Sequence, residues 1–227
     1  MLTLTDTCPS TNSAIDRNAP HGHALMALTQ TAGRGQRGNH WEAEPGKNIT
    51  LSLMLRPEGI AANRQFEISE AVALGVADAV EELGVERVAV KWPNDIYVGD
   101  SKIAGILIEN SLSGTSIARS VAGIGLNVNQ TEFRSDAPNP VSLAQLTGRT
   151  FDIRALAQRM VDLILGRLGH DNHEEYRRRL WRGQGLWRWQ TADGKQFTAT
   201  IDDVLPDGHL CLSGHAPFAF KEVFPAG

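Results

Sequence analysis

Cysteine is scarce in this chain of 227 residues: only Cys8 and Cys211 are present, and they lie far apart. Their separation excludes the closely spaced cysteine pairs of a zinc knuckle. The first residues, 1–6, also lack the basic and then apolar pattern of a secretion signal. Two free thiols without an export signal are typical of a reducing compartment, so we predict a cytoplasmic location.

Long apolar runs and an excess of positive charge are missing as well. No segment approaches the ~20 apolar residues that a membrane span requires, so no membrane association is predicted. The net charge of −4 argues against nonspecific binding to nucleic acid. Seven histidines are scattered, and neither His21 with His23 nor His170 with His173 brings a complete set of zinc ligands. The content of 41% hydrophobic and 21% charged residues is that of an ordinary globular protein.

Helical periodicity is present in two long segments. Apolar residues recur with helical spacing over 66–83, and Gly84 provides a natural end. Asp152 predicts the N-cap of a second helix over 153–168. A further helical stretch is predicted over 172–179.

Strand signals lie before and between these helices. Ile49, Leu51, Leu53 and Leu55 alternate with more polar residues, which is the period of a half-buried strand. The Gly99-Asp100 pair predicts the turn of a hairpin. The predicted strands are 24–30, 48–56, 86–90, 96–98, 102–109 and 115–129.

The pattern changes near residue 180. Beyond it, short β-like runs at 196–201, 209–212 and 218–224 are separated by turn signals such as Pro206-Asp-Gly208. Such spacing favours a small barrel. We therefore predict a first domain over 1–180 and a small β-barrel domain over 181–227.

The loop between the first two predicted strands, 30–41, is the most distinctive segment. Glycine lets the backbone approach a ligand closely, and arginine presents a planar fork that suits carboxylate and phosphate oxygens. The loop thus favours an anion site. Its glycines and arginines are Gly33, Arg34, Gly35, Arg37 and Gly38.

The glycine spacing of this loop matches the dinucleotide-binding fingerprint, but its surroundings do not. The fingerprint requires a helix directly after the glycines. Here a turn at 42–47 and the strand 48–56 follow instead. Pro45-Gly-Lys-Asn48 is not a P-loop either, because it lacks the upstream glycine and the metal-binding Ser or Thr. A flexible hairpin loop with incidental charge stays open as the alternative.

Four clusters of polar and glycine residues follow one another in a fixed order. Singly, each has a structural explanation: a helix cap, a turn, a solvated lysine or close backbone packing. The clusters are Ser10-Thr11-Asn12, the loop 30–41, Lys91-Trp-Pro-Asn-Asp95 with Lys102-x-x-Gly105-x-x-x-Glu109, and Gly123-Ile-Gly-Leu-Asn127-Val-Asn129.

In combination, these motifs resemble the ordered motifs of biotin protein ligases over nearly the whole chain. The resemblance implies an α+β fold: a mixed β-sheet flanked by helices, like that of class II aminoacyl-tRNA synthetases and biotin synthetases, followed by a small C-terminal SH3-like barrel. The chain reaches Ser10-Thr-Asn without room for an N-terminal helix-turn-helix domain. It therefore resembles the monofunctional type without DNA binding.

The resemblance implies two chemical steps. The carboxylate of biotin attacks the α-phosphate of ATP, which gives biotinyl-5′-AMP and pyrophosphate. A lysine of a carrier domain then attacks the acyl carbon, and AMP leaves. Because the first step brings two anions together, cations must offset their repulsion. Closure of the loop would also keep water from the reactive anhydride.

Roles carry over to individual residues as what the resemblance implies. Lys102 matches the catalytic lysine between carboxylate and α-phosphate, and Arg34 and Arg37 match the catalytic arginines of the loop. Asp95 is the candidate for placing Mg²⁺. The biotin-binding set is Ser10, Thr11, Asn12, Gln30, Gly33, Arg34, Gln36, Lys102 and Gly105. The ATP-binding set is Arg37, Trp41, Asn94, Asp95, Lys102 and Asn127, with Trp41 expected to stack on adenine.

The loop departs from the family pattern at two positions. Family members often carry arginine where this chain has Gln36 and Asn39. The lost charge predicts modestly faster release of the adenylate than in an arginine-bearing relative.

Three other functions stay open. A lipoate or octanoate ligase or transferase would share the catalytic fold, but the chain lacks the Ser-Gly-Gly-Gly run expected there. A non-catalytic biotin- or nucleotide-binding regulator is opposed by the intact Lys102, Arg34 and Arg37. The basic and aromatic segment 177–189 invites a nucleic-acid function. A helix end with solvated arginines, followed by packed tryptophans, explains it as well.

The resemblance also implies partners. The acceptor is expected to be a biotin carboxyl carrier domain of a biotin-dependent carboxylase, and no nucleic acid or membrane partner is predicted. Relatives often form dimers through sheet edges, but no residue of the sequence decides whether this chain is a homodimer.

Overall fold

A seven-stranded mixed sheet organises the chain in this computed structural model, which describes residues 1–36, 40–134 and 139–226. In space the strands follow the order β1-β2-β3-β7-β6-β5-β4. β1 and β2 are parallel, and the other neighbours are antiparallel. The strands are β1 (Leu2–Cys8), β2 (Ala24–Gln30), β3 (Ile49–Leu55), β4 (Val88–Lys91), β5 (Asp95–Val98), β6 (Ser101–Ser113) and β7 (Ser116–Leu126).

Two long helices cover one face of this sheet. They approach so closely that a Cβ on Gly75 would lie 2.6 Å from Cγ1 of Ile164, which explains the glycine inside the first of them. Both long helices and the shorter stretch near 172–179 were predicted, and their ends agree within two residues. The helices are α1 (Thr11–Ala14), α2 (Phe66–Glu81), α3 (Leu143–Thr147), α4 (Ile153–Arg167) and α5 (His173–Arg178), with a 3₁₀ turn at Ala62–Arg64. No helix in the described ranges has the length and apolar character needed to cross a membrane.

The alternation along β3 decides which sheet face each residue meets. Leu51 and Leu53 belong to the main core with α2 and α4. The predicted alternation is present, but the prediction of a half-buried strand was wrong, because all seven residues of β3 are buried. Met54 belongs instead to a small cluster with Ile15 on the opposite face. Strand register extends this second face across the sheet, because Ser52 pairs with Gly123. The helix-free part of this face is the floor of the candidate site.

The C-terminal region consists of two small antiparallel sheets. One has the order β12-β8-β9, and the other pairs β10 with β11. Among the residues that the structure describes, these ladders do not close, so the predicted SH3-like barrel is not confirmed. The strands are β8 (Trp187–Thr191), β9 (Gln196–Ala199), β10 (Ile201–Val204), β11 (Leu210–Leu212) and β12 (Val223–Pro225).

The prediction of one continuous strand over 218–224 was wrong. Only Val223–Pro225 forms a strand there. Lys221 has a φ of 72°, a left-handed conformation that interrupts an extended run. Leu210 forms an isolated bridge with Phe218 instead.

The C-terminal sheets contact the large sheet and its helices through specific bonds. Trp92 Nε1 donates to the carbonyl oxygen of Gly208 at 2.9 Å. His173 joins α2 to β10, because Nδ1 lies 2.7 Å from Glu70 Oε1 and Nε2 lies 2.9 Å from Asp203 Oδ1. These contacts hold the C-terminal sheets against the open end of the large sheet.

Candidate functional site

A cavity of about 660 Å³ opens on the face of the large sheet opposite α2 and α4. This volume lies within the range of small-molecule sites. Two predicted residues are not part of its described lining: Gly33 is buried within the loop, and Arg37 lies outside the described residues. The predicted site residues that do line the cavity are Ser10, Thr11, Asn12, Gln30, Arg34, Gln36, Trp41, Asn94, Asp95, Lys102, Gly105 and Asn127.

Three glycines, Gly105, Gly123 and Gly125, form the glycine floor of the cavity. Strand register places Gly105 directly opposite Gly125. A Cβ on Gly125 would lie 2.2 Å from Cε2 of Trp41, and one on Gly123 would lie 2.2 Å from Oδ1 of Asn12. Real Cβ atoms do not tolerate such distances. The side chains of Trp41 and Asn12 therefore fit against the floor only because the floor residues are glycines.

Trp41 lies on this floor next to a cation. The Nζ atom of Lys102 lies 5.8 Å from the centroid of the Trp41 ring. Trp41 Nε1 is buried and has no hydrogen-bond partner within the described part of the chain. A buried indole N–H without a partner marks a place where an acceptor of a ligand would be stabilised.

Hydroxyl and amide groups cluster at one end of the cavity. The backbone N–H of Thr11 donates to Gln30 Oε1 at 2.7 Å, and Thr11 Oγ1 lies 3.2 Å from the same oxygen. Ser52 Oγ lies 2.8 Å from Thr11 Oγ1 and donates to Asn12 Oδ1. Sequence analysis missed Ser52, although a polar residue within an otherwise apolar strand was the available signal. The network fixes these side chains, as recognition of a polar ligand requires.

An ion pair occupies the other end. Lys102 Nζ lies 2.6 Å from Asp95 Oδ1, and both side chains are about one-fifth exposed. The backbone of Lys102 is clamped as well, because its N–H donates to Asn139 O and its carbonyl accepts from Val141 N. A lysine held in this way presents a fixed positive charge to the cavity.

Lys91 adds a second lysine that sequence analysis did not assign to the site. It lies opposite Asp95 in the β4–β5 ladder, and its Nζ donates to Tyr97 Oη at 2.8 Å. Burial lowers the pKa of Lys91, and Lys102 acts in the same direction, whereas Asp95 opposes the shift. Burial, with Asp95 nearby, raises the pKa of Tyr97 to about 12, so the phenol stays neutral.

The two predicted asparagines brace the cavity wall. Asn94 Nδ2 donates to the carbonyl of Ile106 at 2.6 Å. Asn127 Nδ2 donates to the carbonyl of Val141 at 3.1 Å. Both amide nitrogens therefore support the backbone around the Lys102 end.

The C-terminal sheets supply an apolar wall that the sequence did not reveal. The ring of Phe220 meets that of Trp92 edge to face, with centroids 6.0 Å apart. Such pairs are favourable beyond the area they bury. The residues of the region 181–227 that line the cavity are Trp181, Trp189, Ile201, Leu210, Phe220, Val223, Phe224 and Pro225.

Metal-binding groups are sparse. In the described ranges no three or more His, Cys, Asp or Glu side chains come together to hold a metal ion. Asp95 presents a carboxylate to the cavity. Mg²⁺ in nucleotide sites usually needs only one or two carboxylates, because phosphate oxygens and water complete its shell. The donor set therefore fits a nucleotide-bound Mg²⁺ and does not fit a protein-only metal site.

One protein family matches this chain. The model of the biotin/lipoate A/B protein ligase family matches residues 6–129, more than half of the chain. The chain belongs to this family.

Named relatives agree with this assignment. The chain is 31% identical over 163 residues to the bifunctional ligase/repressor BirA of Bacillus subtilis, with 70% of this chain and 49% of the relative covered. It is 30% identical over 200 residues to the biotin–(acetyl-CoA-carboxylase) ligase of Mycobacterium tuberculosis, with 84% and 73% covered. The chain spans about half the length of the BirA relatives it matches. The predicted resemblance to biotin protein ligases is confirmed.

Solved structures confirm the α+β fold. The biotin protein ligase from Aquifex aeolicus in complex with biotin and ATP superposes with a TM-score of 0.81 at 22% identity, covering 99% of each chain. The Leishmania major enzyme in complex with biotinyl-5-AMP gives a TM-score of 0.65 at 20% identity, covering 100% of this chain and 98% of that one.

Proposed function

We propose that the protein is an ATP-dependent biotin protein ligase. It activates biotin to biotinyl-5′-AMP with release of pyrophosphate and then transfers biotin to a lysine of a carrier domain. One observation carries the proposal: a single cavity joins the polar Thr11–Gln30 end to the Lys102–Asp95 ion pair across the glycine floor.

Residues at the polar end would bind the fused rings of biotin. A polar ligand edge in a mostly apolar pocket needs fixed partners, because an unpaired buried polar group is costly. We assign this task to Ser10, Thr11, Asn12 and Gln30. Gly105 would allow the ligand to approach the sheet, and Gly33 and Gln36 would shape the loop over it.

The residues at the ion-pair end would promote the first step, the formation of biotinyl-5′-AMP. A carboxylate oxygen of biotin forms a bond to the α-phosphorus of ATP, and the bond to the pyrophosphate oxygen breaks. Lys102 would neutralise the approaching carboxylate and the α-phosphoryl oxygens, and Arg34 would do so from the loop. Arg37, outside the described residues, is proposed for the same task. Asp95 would hold Mg²⁺, which supplies charge stabilisation to the phosphates.

The nucleotide would lie along the wall formed by Trp41, Asn94 and Asn127. The ring of Trp41 on the glycine floor offers an apolar face for adenine, and its buried N–H offers a donor. We further propose that residues 181–227 act as a small second domain, equivalent to the barrel that the sequence predicted, and close this side of the cavity.

In the second step the amine of an acceptor lysine attacks the acyl carbon. A C–N bond forms, the mixed anhydride bond to AMP breaks, and the amine loses a proton. The relatives from Paracoccus denitrificans and Mycobacterium tuberculosis are both named biotin–(acetyl-CoA-carboxylase) ligases. The proposed acceptor is therefore a biotin carboxyl carrier domain of a carboxylase, in the cytoplasm.

Pyrophosphate release from the purified protein tests this proposal. Mg-ATP is given with biotin, lipoate or octanoate in turn, and biotin alone is expected to support release. A carrier domain is then added to the biotin reaction, and a mass gain of one biotinyl group on its lysine is expected. Release with lipoate or octanoate instead, or with none of the three, would contradict the proposal.

A further inference from the structure

Glu109 has no role in the site as described so far, yet it contacts three of the surrounding side chains. Its Oε1 accepts a hydrogen bond from Arg34 Nη2 at 2.7 Å. Its Oε2 accepts from Asn12 Nδ2 at 3.3 Å and lies 3.7 Å from Arg17 Nη2. One carboxylate is thus shared by two arginines and one amide.

Strand register fixes Glu109 on the same sheet face as the glycine floor. Every second residue of β6 lies on this face, which includes Gly105, Leu107 and Glu109. Glu109 pairs with Val121 of β7. Glu109 is therefore held in place by the β6–β7 ladder. Arg34 comes from the loop after β2, and its side chain is 46% exposed.

The two partners of this ion pair differ in their relation to the cavity. Arg34 lines the cavity, whereas Glu109 stands just outside its lining. An anion that enters the cavity and reaches for Arg34 meets a guanidinium that already donates to a carboxylate. Arginine binds carboxylates and phosphates with the same planar fork, so the entering anion competes with Glu109.

We propose that Glu109 is a positioning residue that acts as an internal substitute anion for Arg34. It holds the guanidinium at the cavity mouth before substrate binds and gives it up to the substrate's carboxylate or phosphate. The identity of that anion rests on the proposed function, but the competition itself does not. Glu109 therefore sets how tightly the ligand-free protein binds anions.

Binding of inorganic pyrophosphate, measured by calorimetry at low salt, tests the competition. The proteins are wild type, Glu109→Gln, Arg34→Ala and the double variant. Glu109→Gln keeps the side-chain shape and removes the charge. Because the pair is partly exposed, we expect Glu109→Gln to bind pyrophosphate about 2- to 5-fold more tightly than wild type. The conservative Glu109→Asp, which keeps the carboxylate, is expected to stay near wild type.

The Arg34→Ala background separates competition for Arg34 from the general change in electrostatic potential that removal of the Glu109 charge causes. In the Arg34→Ala background, the Glu109→Gln change is expected to increase pyrophosphate affinity much less than in the wild type. The difference between the two increases is the coupling energy of the double-mutant cycle. An equal gain in both backgrounds would overturn the proposal. So would an unchanged or weaker affinity of Glu109→Gln, or no pyrophosphate binding by any of the four proteins.

Biotin-dependent pyrophosphate release by the wild type is measured separately. If release is absent while the coupling is present, the ligase function fails and the role of Glu109 stands. If release is present while the coupling is absent, the ligase function stands and the role of Glu109 fails.

Discussion

Lys102 places a fixed ammonium beside a floor that has no side chains. The ion pair with Asp95 holds it there, and the ring of Trp41 lies nearby. This arrangement suits a group whose task is to meet two anions at once. Its removal is therefore expected to affect chemistry far more than folding.

We predict that Lys102→Ala lowers the rate of biotinyl-adenylate formation by about 100-fold or more, as loss of one electrostatic stabiliser typically does. The measurement is single-turnover pyrophosphate release, with circular dichroism to verify the fold. The exposed Lys195, outside the cavity lining, provides the matched control as Lys195→Ala. An activation rate near normal in Lys102→Ala would show that the role is misassigned.

Gly125→Ala tests the glycine floor. The added Cβ would collide with the ring of Trp41, so the ring must leave its place. We expect the apparent KM for ATP to rise about 10-fold or more, with a changed tryptophan emission spectrum, because a displacement of this size exceeds what close packing absorbs. Gly166→Ala in α4, where no heavy atom lies within 4 Å of the new Cβ, is the control and is expected to be neutral or stabilising. An unchanged KM and spectrum in Gly125→Ala would contradict the packing seen here.

Sequence analysis found most of the residues around the cavity but not Ser52, Lys91 or Glu109 as members of the site. Thr11, Gln30 and Lys102 belong to recognisable motifs, and the cavity brings them together. Ser52 interrupts an apolar strand, but only strand register shows that it faces Asn12 rather than the core. Register depends on pairing between distant segments, and one sequence does not encode it locally.

At the scale of elements, helix ends were predictable because their signals are local. Asp152 accepts hydrogen bonds from the backbone N–H groups of Arg154 and Ala155, as its position before an apolar helical repeat suggested. α3 was missed although Ser142 and Gln145 form a complete capping box. That helix has only five residues, which is too short to show a helical repeat of apolar residues, and the prolines before it indicated a loop.

Asp152→Ala is expected to destabilise the protein by about 1 kcal/mol, the typical cost of a lost N-cap. For a chain of this size that lowers the melting temperature by about 2–4 °C. Thermal unfolding followed by circular dichroism measures the shift. Asp152→Asn, which retains a capping oxygen, should melt close to wild type, and equal losses in both variants would show that capping is not the cause.

The His173 joint between α2, α5 and β10 is expected to respond to pH. Burial lowers the pKa of His173, but Glu70 and Asp203 outweigh it, so the pKa is raised overall. A histidine with a raised pKa stabilises the fold fully below its unfolded value near 6.5 and loses that contribution as pH rises through the folded value. Burial also raises the pKa of Glu70, which penalises its ionised form as pH rises.

The comparison of wild type with His173→Gln measures this contribution. We expect the difference in melting temperature to be about 1–3 °C at about pH 6 and to shrink toward about pH 9. Neighbouring charges, including Arg177 beside Asp203, are the same in both proteins. A difference that is constant or grows with pH would contradict the assignment.

At the scale of the whole molecule, the cavity depends on segments far apart in sequence. The predicted α+β fold with a mixed sheet is confirmed, whereas the C-terminal barrel is not. The composition of 181–227 predicted short strands there, but not all of their bounds and not their closure, which depends on how the two small sheets meet. The apolar wall that these sheets give to the cavity could not be predicted from the sequence either, because it forms only when the sheets pack beside Trp92.

Phe220→Ala tests this wall. Loss of the ring next to Trp92 is expected to raise the KM for ATP about 3- to 10-fold and to leave the KM for biotin nearly unchanged, since an aromatic pair contributes about 0.5–1.5 kcal/mol. Initial rates of pyrophosphate release give both constants. Phe197→Ala removes a similar ring that stacks on Phe218 but does not line the cavity, and serves as the control. Equal effects of both changes would indicate general loosening instead.

The distribution of tryptophan has a practical consequence for anyone who studies this protein. Four of its five tryptophans line the cavity of the candidate site, namely Trp41, Trp92, Trp181 and Trp189. The remaining one, Trp187, is 38% exposed to solvent. The intrinsic tryptophan fluorescence is therefore expected to change when a ligand occupies the cavity. Titrations and rapid mixing can follow arrival and departure of small molecules in real time, with no dye, tag or isotope attached.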